Sequence, residues 1–137
     1  MSLSSDLKAA LTADTALMAL LTGGVFTDVE EISRQNTPAA FDTNKEIKPC
    51  ALIKFPNEVP TGPYSTSVRT AFVIYVYQRS GYAVISAAIV RIFADLNEKR
   101  IGTNVWNIEF VSTVHQQRDQ ALDCPLGSLR FSAVRKL

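Results

Sequence analysis

The side chains that could do chemistry are few and far apart. His115 is the only histidine, so a hydrolytic triad would have to use it. It lies in an alternating segment, on the polar side, with Glu109, Gln117 and Arg118 nearby. That set forms no recognisable acid–base pocket, and His115 reads as a rim residue facing solvent. The two cysteines, Cys50 and Cys124, make no CxxC pair. With one histidine in the chain, a zinc site of ordinary composition is not expected. Cys124 precedes Pro125, and nothing adjacent would lower its pKa. Both thiols read as small hydrophobes in a reducing compartment. Asp28, Glu30 and Glu31 are close enough to attract a cation, but their spacing matches no calcium loop. They read as a solvated loop. Phosphate-binding, dinucleotide-binding, zinc-protease and nucleophile-elbow motifs are all missing from the sequence. The expectation is a protein without catalytic residues, cofactor or metal.

The bulk numbers point the same way. A chain of 137 residues fits one domain, 1–137, and can bury a core without disulfides or metals. The net charge of +1 is not the footprint of a general nucleic-acid or acidic-lipid binder. Arg91, Lys99, Arg100, Arg130, Arg135 and Lys136 form no run, and aromatic residues do not interleave with them. The opening MSLSSDLKAALTADTALMALLTGG lacks a basic leader, and Asp6 and Asp14 interrupt it, unlike a signal peptide. No apolar run reaches the roughly 20 residues of a membrane span. A soluble, intracellular protein is expected.

The elements follow from periodicity. Leu3, Leu7, Ala10, Leu11, Leu17, Met18 and Leu21 keep helical spacing. Thr12-Ala13-Asp14 can split this helix, with Asp14 capping the second piece and Gly23-Gly24 ending it. VFTDV (25–29) suits a short strand. The segment 30–49 is too long for a plain connector, and such loops inside compact domains are usually functional or disordered. CALIKF (50–55) reads as a strand, PNEVPTGP (56–63) as a hairpin or extended tip, and 67–78 as a second strand. That second strand is apolar on both faces: Phe72, Ile74 and Val76 on one, Ala71, Val73, Tyr75 and Tyr77 on the other. A strand of this kind is usually covered on both sides.

Ser80 can cap a helix starting near Gly81. Its core stripe is Ile85, Ala88, Ile89, Ile92, Phe93 and Leu96, with Ala83, Ala87, Val90 and Ala94 widening the apolar surface. Segment 104–117 alternates, with Trp106, Ile108, Phe110 and Val114 on one face. ALDCPLG (121–127) reads as a turn before a last strand carrying Leu129, Phe131 and Ala133. The fold class is α+β: a mainly antiparallel sheet flanked by two helices, in the order α-β-β-β-α-β-β. What remains is surplus apolar surface. Either the N-terminal helix covers the second sheet face, or a neighbouring subunit does.

Three stretches resemble a known family. LKAALTADTALMALLTGGVFTDV is similar to the opening of phage tail terminator proteins, also called tail completion or head–tail joining proteins. These have an alanine-leucine helix with an Ala-Asp step, a glycine stop and a short strand. FVIYVYQRSGYAVISAAIVRIFADL resembles the family's strand that passes straight into a long helix. DCPLGSLRFSAV resembles its final strand. The resemblance implies a virion protein without catalysis that forms a ring, commonly a hexamer, on the end of the tail tube. Such a ring ends tube polymerisation and meets a neck or head-completion protein. DNA passes through its lumen without sequence-specific binding. The protein would sit at the tail–neck junction, and in the host cytoplasm during assembly. A closed ring needs two different complementary patches on each subunit. The sheet edge and the long loop are the candidates, with edge strands pairing between subunits. From loop length and exposure, the expected contact residues are Glu30, Glu31, Arg34 and Gln35, with Thr61 and Tyr64 at the hairpin tip. The alternatives are a head-closure or neck adaptor, a minor tail protein, or a small ligand-binding α+β domain.

Overall fold

The computed structural model describes residues 3–29, 31–60, 67–101 and 105–136. The first helix is indeed divided, into α1 (Leu3–Thr12) and α2 (Thr15–Leu20). Asp14 caps α2: its side chain accepts from the backbone N–H of Ala16 at 3.1 Å and of Leu17 at 3.2 Å. Then come β1 (Val25–Thr27), a 3₁₀ turn (Pro38–Ala40), β2 (Cys50–Pro60), β3 (Ser67–Tyr77), α3 (Ala83–Leu96), β4 (Val105–Asp119) and β5 (Cys124–Lys136). The five strands form one sheet in the order β1-β2-β3-β5-β4. Only the β1–β2 pair is parallel; β2–β3, β3–β5 and β5–β4 are antiparallel. This is the α+β class that the sequence implies.

Strand β3 is covered on both faces, by two different layers. Phe72, Ile74 and Val76 point into a core shared with α1, α2 and α3. Leu7, Leu11 and Leu17 enter it from the N-terminal helices, and Ile85, Ala88, Ile92 and Leu96 from α3. Leu129, Phe131 and Ala133 of β5 complete it, and Phe72 stacks on Phe131 at 5.4 Å. The N-terminal helix therefore does not cover the second face. There the segment after β1 folds back, and Ile32, Ala40, Phe41 and Ile47 pack on Cys50, Leu52, Tyr77 and Cys124. Both cysteines are free thiols. Burial pushes Cys50 up to about 12 and Cys124 to about 11, so both stay protonated and inert.

Four expectations change. Strand β2 runs on through Pro60, so 56–60 belongs to the strand and not to the turn. Strand β5 starts at Cys124, which leaves a shorter turn before it than 121–127. Ser80 does not cap α3: the Gln78 side-chain oxygen accepts from the N–H of Val84 at 3.0 Å and of Ile85 at 3.1 Å instead. Strand β4 does not alternate cleanly, because register shifts interrupt it at Trp106/Glu109, Phe110/Ser112 and Val114/Gln117. Each inserted residue reverses the face that follows. Phe110 thus lies against Phe131 on the helix side, while Val114, opposite Ser128, is on the other side.

Helix α3 is tied to the sheet by close approach and to α2 by charge. A Cβ on Gly127 would lie 2.6 Å from Ile85 Cγ2 and 3.2 Å from Ile89 Cδ1, so only glycine lets α3 settle on β5. Arg91 grips the capping carboxylate of Asp14, with its Nε at 3.0 Å and an Nη2 at 2.8 Å from Oδ2. That grip holds the Asp14 carboxyl well below the usual carboxylate range, and the neighbouring Asp95 adds to the effect. Asp95 has a buried Oδ2 with no hydrogen-bond partner. Burial first, then the contact with Asp14, raises it to about 6, against the pull of Arg91 and Lys99.

Two measurements check these ties. Gly127→Ala should destabilise the chain by about 1–3 kcal/mol through overpacking, read from urea unfolding; an unchanged midpoint would contradict the close approach. The second uses pH. Asp95 stabilises the fold fully below about pH 4, the unfolded value, and that contribution is lost as pH rises through about 6. The Asp14 contribution has the opposite sign, present above about pH 4 and lost only in stronger acid. Asp95→Asn keeps a neutral group of the same shape beside Asp14. Its thermal midpoint should gain on wild type between pH 4 and 7; a gap that does not change with pH would contradict the raised Asp95.

Candidate interaction surface

The contact residues expected from sequence fall in two groups. Glu31, Arg34 and Gln35 are exposed on the segment that covers the second sheet face. Glu30, Thr61 and Tyr64 lie outside the described residues. Arg34 is engaged within its own layer: its Nε donates to the Lys45 carbonyl at 2.8 Å, and the guanidinium sits 5.0 Å above the Phe41 ring. Arg79 pairs with Glu46 of the same segment. The loop is therefore a packed cover with a charged outer side. The residues around His115 do not converge. Glu109 pairs with Arg69, Arg118 pairs with Asp123, and His115 is exposed.

The structure brings together a different set. Among the described residues, the large hydrophobic side chains left in solvent are Val90, Phe93, Phe110, Val111 and Val114, at 36 to 66% exposure. All five lie on α3 or β4. Phe93 and Phe110 meet edge to face at 5.1 Å, which joins the helix part to the strand part. Phe93 thus belongs to this surface and not to the core stripe. The outward side of α3 adds the exposed Ala83, Ala87 and Ala94. Val114 stands apart from them on the opposite sheet face, opposite Ser128. Exposed apolar surface such as that of Val90, Phe93 and Phe110 is a candidate interaction site.

The same region holds an open sheet edge. Strand β4 ends the sheet. Near its start the outer side is occupied: the Ile108 carbonyl accepts from Glu98 N–H at 2.8 Å, and Phe110 N–H donates to Asn97 Oδ1 at 3.2 Å. Near its end the Gln117 carbonyl accepts from the Tyr82 hydroxyl at 3.0 Å. Between them, no strand among the described residues pairs with the outer side of 111–116. Unpaired edges are templates for another strand, and proteins usually guard them with charge or proline. Residues 111–116 read VSTVHQ and contain neither lysine nor proline. The pair Phe110-Val111 was the signal available in the sequence: two large apolar neighbours in an alternating strand announce a bulge.

The opposite edge is also incomplete. Strand β1 pairs only with Ala51–Ile53 of β2, so 54–60 has no strand on that side among the described residues. Beside it, on the face away from the helices, lies an open depression of about 310 Å³ lined by Lys54, Phe55, Pro56, Val73, Tyr75 and Arg130. Lys54, Val73 and Arg130 stand in one row across β2, β3 and β5.

No family model matches this chain, and no curated protein matches it. Among solved structures, a chain of the virion of a native gene transfer agent particle has a similar fold, with a TM-score of 0.69 at 19% identity. The match covers 99% of this chain and 96% of that one.

If the α3–β4 surface is an interface, Val90→Ser should weaken self-association while changing monomer stability by no more than about 0.5 kcal/mol, since the residue is already in solvent. Sedimentation and urea unfolding read the two quantities separately. Unaltered association would remove Val90 from the interface.

Proposed function

We propose that this chain is a structural subunit of a phage-like virion, and that its task is to close the tail tube. Copies assemble into a ring on the tube end, stop further polymerisation, and offer the opposite side of the ring to a neck protein. The observation that carries this is the end-to-end likeness of its fold to a virion chain. The surface supports it, because two unlike unfinished edges on one subunit are what a head-to-tail closed assembly needs. The net charge of +1 suits a lumen that DNA crosses without being held. The chain performs no catalysis in this role.

The test is tail assembly with the chain present or withheld. With it, tubes should end at a defined length and carry the protein at one tip. Without it, tubes should overgrow. Tubes of the same length in both reactions, with the protein bound to a head-side component, would overturn the terminator role in favour of a neck adaptor.

A further inference from the structure

The two open edges fit each other. Among the described residues, no strand pairs with the outer side of 111–116 in β4, and none with that of 54–60 in β2, beyond the last β1 pair at Ile53. Their directions are compatible. Three successive antiparallel pairings separate β2 from β4, so β4 runs opposite to β2 within one subunit. When the sheet of one copy continues into the sheet of the next without a flip, β4 therefore meets β2 antiparallel, the pairing that closes hydrogen bonds perpendicular to the strands.

Side chains match as well. Val114 lies on the face away from the helices, opposite Ser128, and a continuous sheet keeps it on that face. It would arrive beside the depression over Val73 and Tyr75. The 111–116 stretch contains no lysine, arginine, aspartate or glutamate, so Lys54 and Arg130 at the depression meet no lysine or arginine there. Along the strands the two stretches are offset. Lys54 is level with Ser112 through Val73 and Arg130, whereas most of the β2 opening lies further toward Pro60. Closing a sheet into a ring of tilted strands requires such a stagger. Bulges on both edge strands, at Lys54/Asn57 and along β4, supply the curvature that closure also requires.

We propose that the 111–116 edge of one copy adds antiparallel to the 54–60 edge of the next copy, making one sheet continuous through the assembly. The partner is a second copy of this chain, and the contact is heterologous, so β4 never faces β4. This rests on the ring reading above and specifies its junction.

Cysteine pairs test it on the full-length chain. Lys54→Cys is combined with Val111→Cys, Val114→Cys or Gln116→Cys, and a short bis-maleimide is added; the buried native thiols supply the low background seen in wild type. Uncrosslinked wild type is sized alongside. The expected result is a ladder of covalent oligomers for at least one pair. Mixing two single-cysteine variants, one on each edge, should give covalent dimers at least tenfold above either variant alone. Self-crosslinking of Val114→Cys alone would overturn the junction, because it means that β4 faces β4. An assembled wild type with no crosslink from any pair would overturn the junction and leave the ring. A wild type that stays monomeric, on tail tubes as well as in solution, would overturn both.

Discussion

Phe72, Ile74 and Val76 on one side of β3, and Val73 and Tyr77 on the other, are all withdrawn from water. A strand with no face to show to solvent needs a layer on each side. The three helices fill one side, and their leucines and isoleucines meet the even-numbered side chains of β3. The other side is filled only in part. The segment after β1 lays Ile32, Phe41 and Ile47 over the Tyr77 end, and the cover stops near Val73 and Tyr75. The unfinished cover and the two unfinished edges lie on one sheet, and together they make the chain look like part of a larger object.

Much of this was legible in the sequence, for identifiable reasons. Helical spacing placed Leu3, Leu7, Leu11 and Leu17 in the core, and the Ala-Asp step announced the cap at Asp14. Two apolar faces on 67–78 announced the double cover. What the sequence concealed was set by contacts between distant residues. Gln78 supplants Ser80 as the cap of α3 because its side chain reaches the first turn from the end of β3. The packing role of the loop is hidden in the sequence because its apolar residues, Ile32, Ala40, Phe41 and Ile47, follow no period that a strand or helix would impose. The bulges in β4 depend on its pairing with β5, so the face of Val114 could not be read from alternation alone.

The interaction surface was half legible. Surplus alanine and valine on α3 pointed to a partner, and the edge strand was an expected patch. Its location was not foreseen, because which strand ends the sheet depends on β5 inserting between β3 and β4. That insertion leaves the longest strand at the rim, with no strand among the described residues on the outer side of its middle. It also gives the molecule two different rims, as the proposed ring would require.

The mass of the protein in solution, followed by light scattering over a concentration series, tests the central claim most directly. The account predicts that mass rises from the 15.0 kDa monomer and levels off at a whole-number multiple, about six by the resemblance to tail terminators. A plateau means that the heterologous contact closes on itself. A mass that stays at the monomer value at every concentration, with no oligomer formed when tail tubes are added, would contradict it.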